Sequence, residues 1–415
     1  MRTQAQTPTD LPTVTPGPEG AASLGRPRIL LYAHDGPGSE SARRVLLLTE
    51  ALTQEFPGAT VVIAASSGLL PESRVPRGID LIQLPALGRM GAERYEPGCV
   101  ERCVGQLRAA RREVLSLAVL GFAPDLVVVD EDPRGCDGEL GELVAELRAR
   151  HPRVRLVLGI QDLKGEPELV RGLLAVSDLF ATIDRVYDEL WIYGSRDVFD
   201  TVAEYRFPEA VARKSHFCGY LQRRRVPSRP RAGLPRVLVA VDDDASGSRL
   251  VETYLEGLRW LEGRLALRTS LAFDASVSSE RRAELLRRFG HLPELEFHDL
   301  DAHPERLFAQ ADVVISSARY ANVCDILSFG LRAVLVPRMQ PSWEQVCRAR
   351  RLAALGILEV IESHALEPDL LILKLLDALE SGRRPRGSID LGGLTHIGER
   401  ARSLVAAAAE PELVA

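Results

Sequence analysis

Residues 311–352 read ADVVISSARYANVCDILSFGLRAVLVPRMQPSWEQVCRARRL, and this stretch decides the fold. Val313, Val314 and Ile315 form one short apolar run, and residues 333–336 a second. Between them, residues 322–329 keep helical spacing. Apolar runs this short, alternating with helical patterns, predict parallel strands covered by helices on both faces. Ligands in such sheets bind outside the carboxyl ends of the strands. Residues 316–322 follow the first strand at that edge, and residues 337–345 the next. Asp325, Arg338, Glu344 and Gln345 are therefore expected to converge on one crevice.

The same grammar runs through the rest of the chain. Residues 28–34, RILLYAH, read as a buried strand, followed by a loop and a helix over 40–56 with Val45, Leu48 and Leu52 on one face. Further strands are expected at 60–64, 80–84, 125–129, 154–160, 178–183 and 189–193. From residue 216 to 231 periodicity stops, and three prolines fall within residues 216–235. The pattern restarts with a strand over 236–241. The reading is α/β with two doubly wound, Rossmann-like parallel-sheet domains facing a central cleft. Its units are a disordered tail (1–27), an acceptor-side domain (28–220), a linker (221–234), a donor-side domain (235–390) and a C-terminal helix (391–415) returning to the first domain.

Composition narrows the function. The formal net charge of -6 gives no electrostatic footprint for nucleic acid. Nearly all basic residues are arginine; the lysines are Lys164, Lys214 and Lys374. An arginine cluster is thus the background habit of this chain. The group 223–225 with Arg229 and Arg231 reads as a solvated linker, with peripheral contact to anionic lipid as the alternative. Cys99, Cys103, Cys136, Cys218, Cys324 and Cys347 form no CxxC pair, so free thiols, no metal and a cytoplasmic location are expected. No apolar run approaches the roughly 20 residues of a membrane span.

The stretch at 311–352 also resembles a family. It is similar to the C-terminal half of bacterial glycosyltransferases of the lipid-II-forming N-acetylglucosaminyltransferase type (family 28, GT-B fold), and to a soluble branch of that group. The resemblance covers about residues 28–391. It implies a cytoplasmic, metal-independent transfer of a sugar from a nucleotide-sugar donor to an acceptor hydroxyl.

Carried onto this sequence, the resemblance assigns four places. The family's HDTFGLGHLRR-like loop appears as residues 34–44, with His34, Asp35, Gly38, Arg43 and Arg44 matching. Glu40 replaces a glycine, and Ser41 the inner histidine. His34 or Asp35 is then the candidate base, with Gly38 and Arg43 on the acceptor side. Helix-cap chemistry explains Ser39 and Glu40 equally. The second loop, residues 241–249, carries three aspartates where a Gly-rich phosphate cradle is implied. Ser246 and Gly247 at its helix start remain candidates for one phosphate. The family's MGGYNTVCEIL appears as residues 317–327, with both glycines lost and Arg319 in place of the second. Asn322 and Arg319 then face the donor, and Asp325 stands where a glutamate would hold the ribose hydroxyls.

The fourth place matches best. Glu344-Gln345 corresponds to the pair that reads the donor sugar's hydroxyls, with Arg338 near the diphosphate. A carboxylate beside an amide suits hydroxyl recognition. The alternative is a Glu344–Arg348 helix pair with a solvated Gln345. Asp162, after the fifth strand, is an acceptor-side candidate. The leading reading is a hexosyltransferase-type glycosyltransferase with an unknown acceptor. Its rival is a catalytically inactive pseudo-glycosyltransferase kept as a binding or partner protein, because glycines are lost from all three Gly-rich loops. A nucleotide-sugar epimerase on the same fold is a third.

Overall fold

The computed structural model describes residues 26–34, 40–66, 70, 75–90, 94–97, 104–223, 233–241, 245–261, 265–274, 277–292, 294–300, 304–339, 343–380 and 389–409. Two all-parallel sheets of seven and six strands form two α/β domains. In the first domain the strands are β1 (Arg28–Tyr32), β2 (Thr60–Ser66), β3 (Asp80–Leu84), β4 (Leu87–Met90), β5 (Arg94–Pro97), β6 (Leu126–Asp130), β7 (Arg155–Gln161), β8 (Glu189–Tyr193) and β9 (Ser215–Phe217). Its helices are α1 (Glu40–Glu55), α2 (Val104–Phe122), α3 (Gly141–Arg150), α4 (Pro167–Val176), α5 (Leu179–Val186), α6 (Thr201–Glu204) and α7 (Glu209–Lys214). The sheet order is β3-β2-β1-β6-β7-β8-β9, and β4 and β5 form a separate antiparallel pair.

The second domain holds β10 (Arg236–Val241), β11 (Arg268–Phe273), β12 (Leu295–Asp299), β13 (Val313–Ser316), β14 (Arg332–Leu335) and β15 (Glu359–Val360). Its helices are α8 (Ala245–Leu261), α9 (Ser279–Phe289), α10 (Pro304–Gln310), α11 (Tyr320–Phe329), α12 (Glu344–Ala354) and α13 (Pro368–Glu380), and α14 (Gly393–Ala409) closes the chain. The sheet order is β12-β11-β10-β13-β14-β15.

The strand runs are buried on both faces, as in Ile29–Tyr32 and Val313–Ile315. That demands helices on each side of each sheet. In both sheets the order reverses at one point, between β1 and β6 and between β10 and β13. Loops diverge there and leave a crevice. In sheet one the switch point carries the start of α1 and the end of β6. In sheet two it carries residues 316–319 and the start of α11. These are the two places that meet in the site.

A single apolar cluster runs from Ile29 and Val61 through Tyr220 and Tyr320 to Val314 and Leu335, so the domains share a core. The Tyr220 and Tyr320 rings stack across the junction, with centroids 5.8 Å apart. Helix α14 buries Ile397, Ala401 and Val405 in that cluster. Arg402 pairs with Glu55 of α1, and Arg400 Nε donates to Glu189 Oε2 of β8 at 2.7 Å.

Two local expectations change. Residues 178–183 are mostly helix, in α5, rather than strand. Leu179, Ile183 and Val186 lie at helical spacing against the core, and a six-residue window hides that period. His216 and Phe217, read as the point where periodicity stops, pair with Trp191 and Ile192 as the edge strand β9.

Candidate functional site

Helix α11 is buried along almost its whole length, from Tyr320 to Ser328. It stops at Gly330, whose left-handed backbone (φ 60°) lets its N–H reach the Ile326 and Leu327 carbonyls. The start of α11 points at the first domain. There Arg319 Nε lies 3.5 Å from Glu40 Oε1, and Arg319 Nη1 lies 3.2 Å from Asp274 Oδ2. The Ala321 N–H donates to Glu40 Oε1 at 3.4 Å. Burial pushes the Glu40 carboxyl up, but the guanidinium groups of Arg319, Arg44 and Arg348 outweigh it, and the net shift is downward.

One turn further, Asp325 is buried and faces two arginines. Arg223 donates its Nε to Asp325 Oδ1, and Arg43 Nη1 lies 4.0 Å from Oδ2. Arg43 belongs to α1 of the first domain and Arg223 to the segment that follows it, so Asp325 is gripped from across the cleft. Arg223 is therefore engaged in the junction and not offered to lipid; Arg224, Arg225, Arg229 and Arg231 lie outside the described residues.

The second crossing is at α12. Arg348 and Asp162 are both fully buried, with Arg348 Nη2 3.6 Å from Asp162 Oδ1. Arg348 also meets Glu344 at 2.7 Å, the Ala318 carbonyl at 3.1 Å and Gln161 Oε1 at 3.2 Å, with its guanidinium 5.5 Å over the Tyr320 ring. Burial opposes its charge, yet Glu344 and Asp162 hold it protonated. For Asp162 burial wins, and its carboxyl is raised despite Arg348 and the Tyr220 hydroxyl, which donates at 2.7 Å. The sequence had offered Asp162 as an acceptor-side group. It is a junction residue with no exposed surface.

The Glu344-Gln345 pair divides between its two readings. Glu344 does form the i,i+4 pair with Arg348, and 23% of its side chain is exposed. Gln345 is not solvated. It is buried, and its Oε1 accepts the Arg338 N–H at 3.1 Å, which ties the loop after β14 to α12. Asn322 is buried in the first turn of α11. His34 places Nδ1 3.7 Å from Cys136 Sγ at the end of β1. Gly247 and Ser246 lie in the first turn of α8. Asp35, Gly38 and residues 242–244 lie outside the described residues.

Sequence reasoning missed the floor of the cleft in domain one. Arg44 holds Asp130 through Nε at 3.0 Å and Nη2 at 2.9 Å, and reaches Glu131 at 3.1 Å. Ser41 donates to Asp130 at 2.6 Å. Lys164 pairs with Glu131. Glu131 keeps a left-handed backbone (φ 69°), a conformation costing roughly 1–3 kcal/mol without glycine. The sequence signals were Arg44, matched to the family loop, and the acidic run 130–132 at a strand end, which nothing in the sequence joined. Among the described residues no group of three His, Cys, Asp or Glu is set to hold a metal.

No protein-family model and no curated protein matches the chain. Solved structures do. MurG of Acinetobacter baumannii superposes with a TM-score of 0.57 at 14% identity, over 91% of this chain and 99% of that one. The chain has the GT-B fold. The glycosyltransferase VinC, in complex with dTDP, matches with a TM-score of 0.55 at 14% identity, over 92% and 99% of the two chains. A Listeria monocytogenes protein described as a UDP-N-acetylglucosamine 2-epimerase matches with a TM-score of 0.57 at 14% identity, over 92% and 96%. Identities this low speak for the GT-B architecture alone. No described helix is long and apolar enough to cross a membrane.

Proposed function

We propose that this chain is a cytoplasmic hexosyltransferase that moves a sugar from a nucleotide-sugar donor to an acceptor hydroxyl. The observation that carries the reading is the pair of facing switch points. Asp325, Gln345 and Glu344 stand on the carboxyl edge of sheet two, and α1 stands opposite on sheet one. Asp325 would take the ribose hydroxyls, Glu344 and Gln345 the sugar hydroxyls. Arg319 and Arg338 would neutralise the diphosphate in place of a metal, with Asn322, Ser246 and Gly247 beside it. On the acceptor side the candidates are Gly38 and Arg43.

In the reaction the acceptor oxygen bonds to the anomeric carbon as the bond from that carbon to the diphosphate oxygen breaks. His34 or Asp35 takes the acceptor proton, and the nucleoside diphosphate leaves. Closure of the two domains excludes water.

The test is to incubate the protein with UDP- and TDP-sugars and measure binding by calorimetry and release of nucleoside diphosphate. Binding with release supports the enzyme. A second reading, a transferase fold retained for binding, draws on Asp325 and Glu344 already being held by Arg43, Arg223 and Arg348. It expects no turnover with any donor.

A further inference from the structure

Two departures from the family pattern meet in space. Glu40 stands where that pattern has a glycine in the first loop, and Arg319 where it has one ahead of α11. These two residues pair with each other across the cleft. The same Glu40 oxygen faces the Ala321 N–H in the first turn of α11. Free N–H groups and the helix dipole make such an end an anion site. An acid from one domain thus occupies the anion-binding end of a helix in the other.

The occupant fits loosely. Charge-assisted N–H···O bonds to a carboxylate run to about 2.7–2.9 Å. The two Glu40 contacts are 3.4 and 3.5 Å. Donors, meanwhile, are in surplus. Among the described residues, Arg44 Nη1, Arg348 Nε and Asn322 Nδ2 are buried without a hydrogen-bond partner. Arg44 and Arg348 act on the Glu40 carboxyl together with Arg319, and Asn322 follows Ala321 in the same turn. Buried donors normally find acceptors. One carboxylate has too few oxygens for this set, whereas a diphosphate brings several anionic ones.

We propose that Glu40 is the internal occupant of a diphosphate site at the start of α11, and that a diphosphate enters by displacing its carboxylate from Arg319 and the Ala321 N–H. This rests on reading the cleft as a donor site and adds the residue that governs entry. Glu40 holds the site closed by imitating the ligand's charge, and Arg319 is the partner that the two anions exchange.

The experiment titrates inorganic pyrophosphate into the full chain by calorimetry at fixed ionic strength. The proteins are wild type, Glu40→Gln, and Glu40→Gln combined with Arg319→Gln. Glu40→Gln should bind at least tenfold more tightly than wild type, and the second substitution should remove the gain. Equal affinities, a gain that survives loss of Arg319, or no binding by any of the three overturns the proposal. Glu40→Ala replaces the amide variant if the latter melts early. UDP and TDP titrated in parallel separate the two ideas. A pyrophosphate gain with no nucleotide binding keeps the gate and sinks the donor reading. Equal nucleotide binding with no pyrophosphate gain does the reverse.

Discussion

Arg348 of α12 and Asp162 at the end of β7 meet 3.6 Å apart, one from each domain, with no exposed surface on either. Removing water from two charges is costly, and the cost is offset by further polar contacts from Glu344, Gln161 and the Ala318 carbonyl to Arg348 and from the Tyr220 hydroxyl to Asp162, although Arg348 Nε keeps no hydrogen-bond partner. The domains are thus fastened by a polar knot inside a shared apolar core.

Breaking one side of that knot should be expensive. Arg348→Met leaves the Asp162 carboxylate buried without its cation, and a cost of about 3–5 kcal/mol is expected. Urea unfolding curves measure it. Adding Asp162→Asn should recover more than half of the loss. A double variant no more stable than the single one contradicts this account of the pair.

Tyr220→Phe removes the hydroxyl that donates to Asp162 Oδ2. An orphaned buried acceptor costs roughly 1–3 kcal/mol. Because Tyr220 and Arg348 share Asp162, the cost combined with Arg348→Met should fall short of the sum of the two. Strict additivity in the same unfolding assay would separate residues that the structure joins.

The Glu40–Arg319 contact should depend on pH in a definite direction. Glu40 titrates below its ordinary value of 4.5, because Arg319, Arg44 and Arg348 overcome the opposing effect of burial. A depressed folded value means the stabilisation is complete above 4.5 and is lost as pH falls through the lower folded value. Wild type should therefore out-melt Glu40→Gln at pH 7, and the gap should close only below pH 4.5. A gap that closes between pH 5 and 7 is inconsistent with this environment.

Much of this architecture was legible in the chain. The doubly buried runs at Ile29–Tyr32 and Val313–Ile315, alternating with helical patterns, announce parallel strands, because a strand apolar on both faces needs a layer on each side and the intervening helices supply it. The site was legible only in part. Gln345 and Asp325 could be placed by motif, but their partners could not. Arg43 is 282 residues from Asp325 in sequence order, and Gln161 is 187 from Arg348. No local spacing reports a pairing of that kind. Glu344–Arg348 was visible because both lie on one helix. Asp162 read as an acceptor-side candidate after a strand, since burial by a second domain leaves no trace beside it in the sequence.

Asp325→Asn tests the ribose-binding role. A neutral amide cannot accept from two vicinal hydroxyls as a carboxylate does, and the affinity for UDP or TDP should fall about tenfold or more. The calorimetric titration should be run beside a thermal melt, because Arg43 and Arg223 also lose their partner. Unchanged affinity in a folded variant removes Asp325 from the donor site.

The central claim is that the gap between the two sheet switch points holds a nucleotide-sugar donor. Calorimetric titration of the wild-type chain with UDP and TDP at concentrations up to millimolar tests it most directly. The account predicts saturable binding of at least one of the two, competed by the matching nucleotide sugar. No heat and no competition at millimolar nucleotide would contradict it.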